Sequence, residues 1–127
     1  MTTPIKKQSP RRKEKPVAGA FLRMETPTEN RAPAELGGQT LDEQEQIVHA
    51  HAARIGVTIR HQLVWVATAE EDTPDARITQ LVDILTKRPV RHLLVPASLY
   101  QGYTDDDIMK HAVMLTMHGT ELILVED

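Results

Sequence analysis

Four short runs rich in apolar and β-branched residues, Val17 to Met24, Val57 to Ala67, Val90 to Val95 and Glu121 to Val125, alternate with three longer segments of helical periodicity. That alternation is the strongest constraint on the fold. Strands separated by amphipathic helices pair in parallel through right-handed crossovers, which place the helices on the faces of one sheet. The expectation is an α/β fold: a three-layer α/β/α sandwich with a mainly parallel four-stranded sheet in a flavodoxin-like topology. With 127 residues, 40% of them hydrophobic, the chain is long enough for one core and short for two.

Local signals place the helices. Leu41, Val48, Ala52 and Ile55 fall at helical spacing, Thr40 is available as N-cap, Asp42 and Glu43 suit the first turn, and Gly56 closes the helix. Thr73 and Pro74 open a second helix with the apolar stripe Ile78, Leu81, Val82 and Leu85, ending near Lys87 and Arg88. Thr104 caps a third, with Asp105, Asp106 and Asp107 in its first turn, Ile108, Ala112 and Leu115 as its stripe, and Gly119 after it. The polar residues Arg60, His61 and Gln62 in the middle of the second apolar run predict a strand at or near a sheet edge. Val90 to Val95 is nearly all apolar, as a central parallel strand requires, and Pro96 ends it.

Open α/β sheets keep their sites outside the carboxyl ends of the strands. Arg23 and Glu25 therefore fall at a candidate site. Two apart in an extended segment, they project from one side, within reach of an ion pair. Met1 to Pro16 carries Lys6, Lys7, Arg11, Arg12, Lys13 and Lys15 with little apolar content, so a disordered basic tail is expected, preceding a domain over 17–127. Such an arm serves either to bind DNA phosphates with counterion release or simply to solubilise the chain. Thr26 to Gly38 contains Pro27, Pro33, Gly37 and Gly38 and reads as a loop at the rim, covering the pocket, offering a partner surface, or merely lengthening a connection.

The stretches Phe21-Leu22-Arg23-Met24-Glu25-Thr26 and Gln39-Thr40-Leu41-Asp42-Glu43-Gln44 resemble the start of the serine recombinase (resolvase/invertase) catalytic domain. There a strand of the form Tyr-x-Arg-Val-Ser-Thr is followed by Gln-Ser-Leu-x-x-Gln. The resemblance extends over about Val17 to Asp127 and implies a resolvase-like version of the fold, with the loop at about 26–38 as an insertion. It also implies a role tied to site-specific DNA recombination. The family's serine attacks a DNA phosphodiester, and Glu25 stands in its place. A carboxylate there repels the substrate by about 4 kcal/mol for charges about 4 Å apart at an effective dielectric near 20. Of the arginines that neutralise the transferred phosphoryl group, Arg23 is kept. The stretch Ser98 to Tyr103 has none, and ungapped alignment places Asp75, not Arg77, at the arginine position near the second helix start. The resemblance thus implies a relic pocket of Arg23, Glu25, Thr26, Gln39 and Gln44 with no intact catalytic set. Glu25 then either neutralises the old phosphate pocket or makes an ordinary strand-end ion pair. The family's following dimer helix and helix-turn-helix are not expected within these residues.

Other chemistries have little support. Without cysteine there is no disulfide or thiolate site. His49 and His51 diverge on a helix, and His111 and His118 are too far apart along one for a shared ion, so no metal or other cofactor is expected. No phosphate-binding glycine motif occurs. The acidic runs at Glu70 to Asp72 and Asp105 to Asp107 suit helix starts. Thr26 and Ser98 are hydroxyls at the rim with no evident base. Tyr100, Gln101 and Tyr103 are candidates for an exposed binding rim, or the tyrosines pack against the inserted loop. With no membrane-spanning run, a cytoplasmic protein is expected. Its partners would be DNA through the tail, and a recombinase or another protein, whether the domain acts as accessory factor, as interaction module or as a subunit completed by a partner chain.

Overall fold

The computed structural model describes residues 17–26 and 39–126. The basic tail with Lys6, Lys7, Arg11, Arg12, Lys13 and Lys15, and nearly all of the inserted loop, lie outside the described residues. The elements follow in the order β1 (Val17–Glu25), α1 (Leu41–Ile55), β2 (Thr58–Ala67), α2 (Pro74–Lys87), β3 (His92–Pro96), a 3-10 turn (Ala97–Tyr100), α3 (Asp105–Met117) and β4 (Glu121–Val125). The sheet order is β2-β1-β3-β4, with every adjacent pair parallel.

This is the order of flavodoxin-type sheets, in which the direction of travel reverses at β1. Crossovers of one hand then put α1 on one face and α2 and α3 on the other. The two cores agree. Val48 and Ala52 of α1 pack with Ala18, Ala20, Leu22, Leu94 and Val125. On the opposite face Ile78, Leu81 and Leu85 of α2 and Leu115 of α3 pack with Phe21, Leu93 and Val95. The architecture is a three-layer sandwich. Among the described residues, no helix is long and apolar enough to cross a membrane.

The helix starts form by local chemistry. Thr40, Thr73 and Thr104 each accept a bond at their side chain from the backbone N–H three residues on, and Glu43 reciprocates to Thr40 to complete a capping box. Gly56 ends α1 at φ 76°, a left-handed value that glycine adopts without strain. Gly19, on the α2 side of β1, has a different reason: a Cβ there would lie 3.3 Å from a Val90 methyl and 3.5 Å from the His61 carbonyl. A bulge between Ala18 and Gly19 shifts the register to β2 at the same place.

Three sequence expectations need correction. Ile55, placed on the buried stripe of α1, is 44% exposed, because it falls in the last turn, beyond the sheet. The third strand begins at His92 rather than Val90, whose carbonyl instead accepts a buried bond from Thr120 Oγ1 at 2.7 Å. Tyr100 and Tyr103 are not an exposed rim. Tyr100 is buried and Tyr103 half-buried, since the 3-10 turn folds them back under α2.

Leu22 on β1 is fully buried against α1. Leu22→Ala is expected to cost about 2–5 kcal/mol, read as a lowered urea midpoint with an unchanged slope.

Candidate functional site at the carboxyl edge of the sheet

β1 and β3 pair only from Ala18 to Ala20 and from His92 to Leu94. Beyond that they separate, leaving the crevice where folds of this order bind ligands. Here the crevice is filled from within. Gln44, on the buried face of α1, accepts a bond at Oε1 from Arg23 N at 2.9 Å, and its Nε2 donates to Arg23 O at 2.8 Å. Its carboxamide thus does for β1 what a neighbouring peptide group would. Nε2 also reaches Gln39 O at 3.2 Å. Gln39 in turn accepts a 2.6 Å bond from Ser98 Oγ, which closes the crevice from α1's leading segment to the end of β3.

Beside this plug lies an ionic network. Arg77, the fourth residue of α2, is 3% exposed and grips both oxygens of Asp72 with one edge of its guanidinium, Nε to Oδ1 at 3.0 Å and Nη2 to Oδ2 at 2.5 Å. Its Nη1 donates to Leu99 O. The guanidinium lies 5.2 Å from the Tyr100 ring centre and 5.1 Å from that of Tyr103, within cation–π range. Arg23 reaches the same carboxylate, Nε to Asp72 Oδ2 at 2.5 Å, and also meets Glu25 at 2.8 Å and the Ala67 carbonyl at 3.0 Å. Arg23 Nε and Glu25 Oε2 are shielded from solvent and close to their ionic partners but off the hydrogen-bond direction, so these contacts are Coulombic. Two guanidiniums are matched by two carboxylates. Among the described residues the pocket has no surplus positive charge.

Behind Arg77 the polar contacts continue. His111 of α3 is buried, its Nε2 lies 2.9 Å from Pro74 O, and its Nδ1 lies 2.9 Å from the Tyr100 hydroxyl. A carbonyl only accepts, so Nε2 carries the proton and Tyr100 donates to Nδ1, which fixes the neutral tautomer. Burial is the main cause holding the His111 pKa below its ordinary value, with Arg77 adding to it. Burial likewise raises both tyrosines, against the pull of Arg77. The Tyr103 hydroxyl is shielded from solvent and has no hydrogen-bond partner among the described residues.

Of the residues singled out from sequence, Arg23, Glu25, Gln39 and Gln44 come together here. Thr26 is adjacent, its N–H bonded to Ala67 O at 3.1 Å. Ser98 is engaged with Gln39 rather than with a base. Gln101 is exposed and stands apart. Asp75, aligned with an expected arginine, is exposed and pairs with Lys110 at 3.5 Å, whereas Arg77 occupies the pocket. Asp72, taken for helix-start solvation, is instead the centre of the network. The sequence held a signal for Arg77: it lies four and eight residues before Leu81 and Leu85, on the apolar stripe, where a charge needs a partner.

All three helices start at this edge, with Asp42, Glu43, Asp75, Asp105, Asp106 and Asp107 in their first turns. Helix N-termini favour anions, and here side-chain carboxylates already supply them. Among the described residues no three histidines or carboxylates converge on a metal position.

Asp72→Ala strips two arginines of their shared partner, one of them with a side chain only 4% exposed, and is expected to cost about 3–5 kcal/mol in chemical denaturation. Glu25→Ala, at a more open position, should cost below about 1 kcal/mol. For His111 the folded pKa is depressed, so near its unfolded value of about 6.5 the unfolded chain takes up a proton that the folded one refuses. Its stabilisation is complete above that pH and declines as pH falls towards the folded pKa. His111→Gln, which keeps a donor and an acceptor, should flatten stability against pH in this window.

Comparison with known protein families, with curated proteins and with solved structures returned no match.

Proposed function

We propose that this is a serine-recombinase-like domain without strand-cleavage activity, acting as an accessory protein that associates with DNA through its basic tail and with a protein partner through its acidic rim. The observation that carries the proposal is Asp72 held between Arg23 and Arg77, with Glu25 on the far side of Arg23. A phosphodiester under attack needs uncompensated cations around its oxygens, and both guanidiniums are already neutralised inside the chain. The nucleophile is missing as well. Glu25 stands where the resemblance requires a serine, and the Ser98 hydroxyl is spent on Gln39.

The acidic helix starts favour the protein-binding part of the role. They would repel a DNA backbone from the carboxyl edge, so nucleic-acid affinity falls to the tail, as a counterion-release term with a steep salt dependence. A recombinase subunit completed by a partner chain is less well supported, because an arginine arriving from outside would meet an occupied pocket.

Incubation with supercoiled plasmid DNA is expected to give neither nicking nor a covalent adduct. An adduct lost on Thr26→Ala, Ser98→Ala or Glu25→Ala would overturn the proposal. In mobility-shift titrations, retardation should weaken about tenfold or more between 50 and 200 mM salt and vanish when residues 1–16 are removed. Retardation that survives the deletion would place the DNA contact on the domain and count against the acidic rim as a protein surface.

A further inference from the structure

We propose that β2 is an interface strand through which two copies of this chain join, antiparallel, fusing their four-stranded sheets into one. The inference stands apart from the recombinase-like role and rests on the sheet edge alone. β2 is an outer strand of ten residues, twice the length of β3 and β4, and its outer side has no main-chain partner among the described residues. Sheets protect such edges with charges, prolines or bulges. The first half of β2 has this protection, in the bulge at Ile59 to His61 and the exposed Arg60. The second half, Leu63-Val64-Trp65-Val66, has none of it, and Val66 is 51% exposed.

The backbone phase suits self-pairing. Ala67 turns its carbonyl towards β1, where it accepts from Thr26 N and from Arg23. By strand alternation Val66, Val64 and Gln62 then turn their N–H and C=O groups outward. A two-fold axis at Val64 sets Val64 against its own copy and Gln62 against Val66 as closely spaced pairs, each exchanging both main-chain bonds. Between them Leu63 faces Trp65 of the second copy, an aliphatic–aromatic pair on the α2 side.

Two further features fit that register. On the α2 side, beside Leu63, lies a cavity of about 290 Å3 lined also by Gly19, Gln80, Ile84, Leu85 and Leu93, and the second indole arrives next to it. Arg60 and Glu70 are exposed and make no ion pair among the described residues. The axis brings the Arg60 end of one strand towards the end of the second copy that leads into the turn holding Glu70, so opposite charges lie at both ends of the pairing. A second copy is therefore the occupant that the edge matches in hydrogen bonding and charge.

Sedimentation equilibrium on the full chain from about 1 to 200 μM should show the mass rising from 14.3 kDa towards twice that value. Val66→Lys, at an exposed position that leaves the fold intact, should raise the dissociation constant about tenfold or more. Val64→Pro, which removes an outward N–H and no bond to β1, should abolish the dimer. Arg60→Glu and Glu70→Arg should each weaken it and together restore it. In hydrogen exchange the amides of Gln62, Val64 and Val66 should gain protection with concentration. A chain that remains monomeric throughout, whether its edge is bare, covered by its own tail or able to capture an extended peptide, would overturn the proposal. So would a dimer indifferent to Val66→Lys.

Discussion

One carboxylate between two guanidiniums organises the carboxyl edge of this sheet. Asp72 belongs to the turn after β2, Arg23 to β1 and Arg77 to α2, so their contacts tie the edge strand, the central strand and a helix together. Arg77 extends the tie to the 3-10 turn through Leu99 O and to both tyrosine rings, and Tyr100 passes it to His111 on α3. Burying such charges carries a desolvation cost of several kcal/mol per ion that only close pairing and full use of their donors offset. Each of the three nitrogens of Arg77 donates a bond. A charged cluster of this kind favours one arrangement of its surroundings, because any other leaves a cation in a dry place without its counter-charge.

The same cluster decides the chemistry of the edge. α/β folds of this strand order offer helix N-termini and the gap between diverging strands to anionic ligands. In this chain the gap is occupied by Gln44, the arginines are answered by Glu25 and Asp72, and the helix starts are lined with carboxylates. Each departure takes away the uncompensated positive charge or the open space that a phosphate group would need there.

Much of the fold was legible because its causes are local. Thr40, Thr73 and Thr104 announce their helices through bonds three residues away, and the apolar runs announce strands through composition. The polar centre of the second run correctly marked an edge strand. The ion pair between Arg23 and Glu25 was legible for the same reason, being set by strand alternation. What was hidden depends on contacts between distant residues. Asp72 looks like any acidic residue before a helix until Arg23 arrives from the other end of the chain. Tyr100 and Tyr103 look like rim aromatics until the 3-10 turn folds them under Arg77. One pattern was present but unread: Gln44, Arg77 and His111 each head the buried ridge of their helix, four residues before Val48, Leu81 and Leu115, and each is the polar group that its helix sends inward.

A carboxamide is the smallest fragment of a peptide, and Gln44 lends one to a strand whose natural neighbour has veered away. Rotating that single side chain outward would uncover a donor and an acceptor on the main chain of Arg23, spaced as a visiting polypeptide expects them. A shortened side chain at this position would instead leave both of those main-chain groups without their partner in a buried place, which is the cost that keeps the carboxamide where it is.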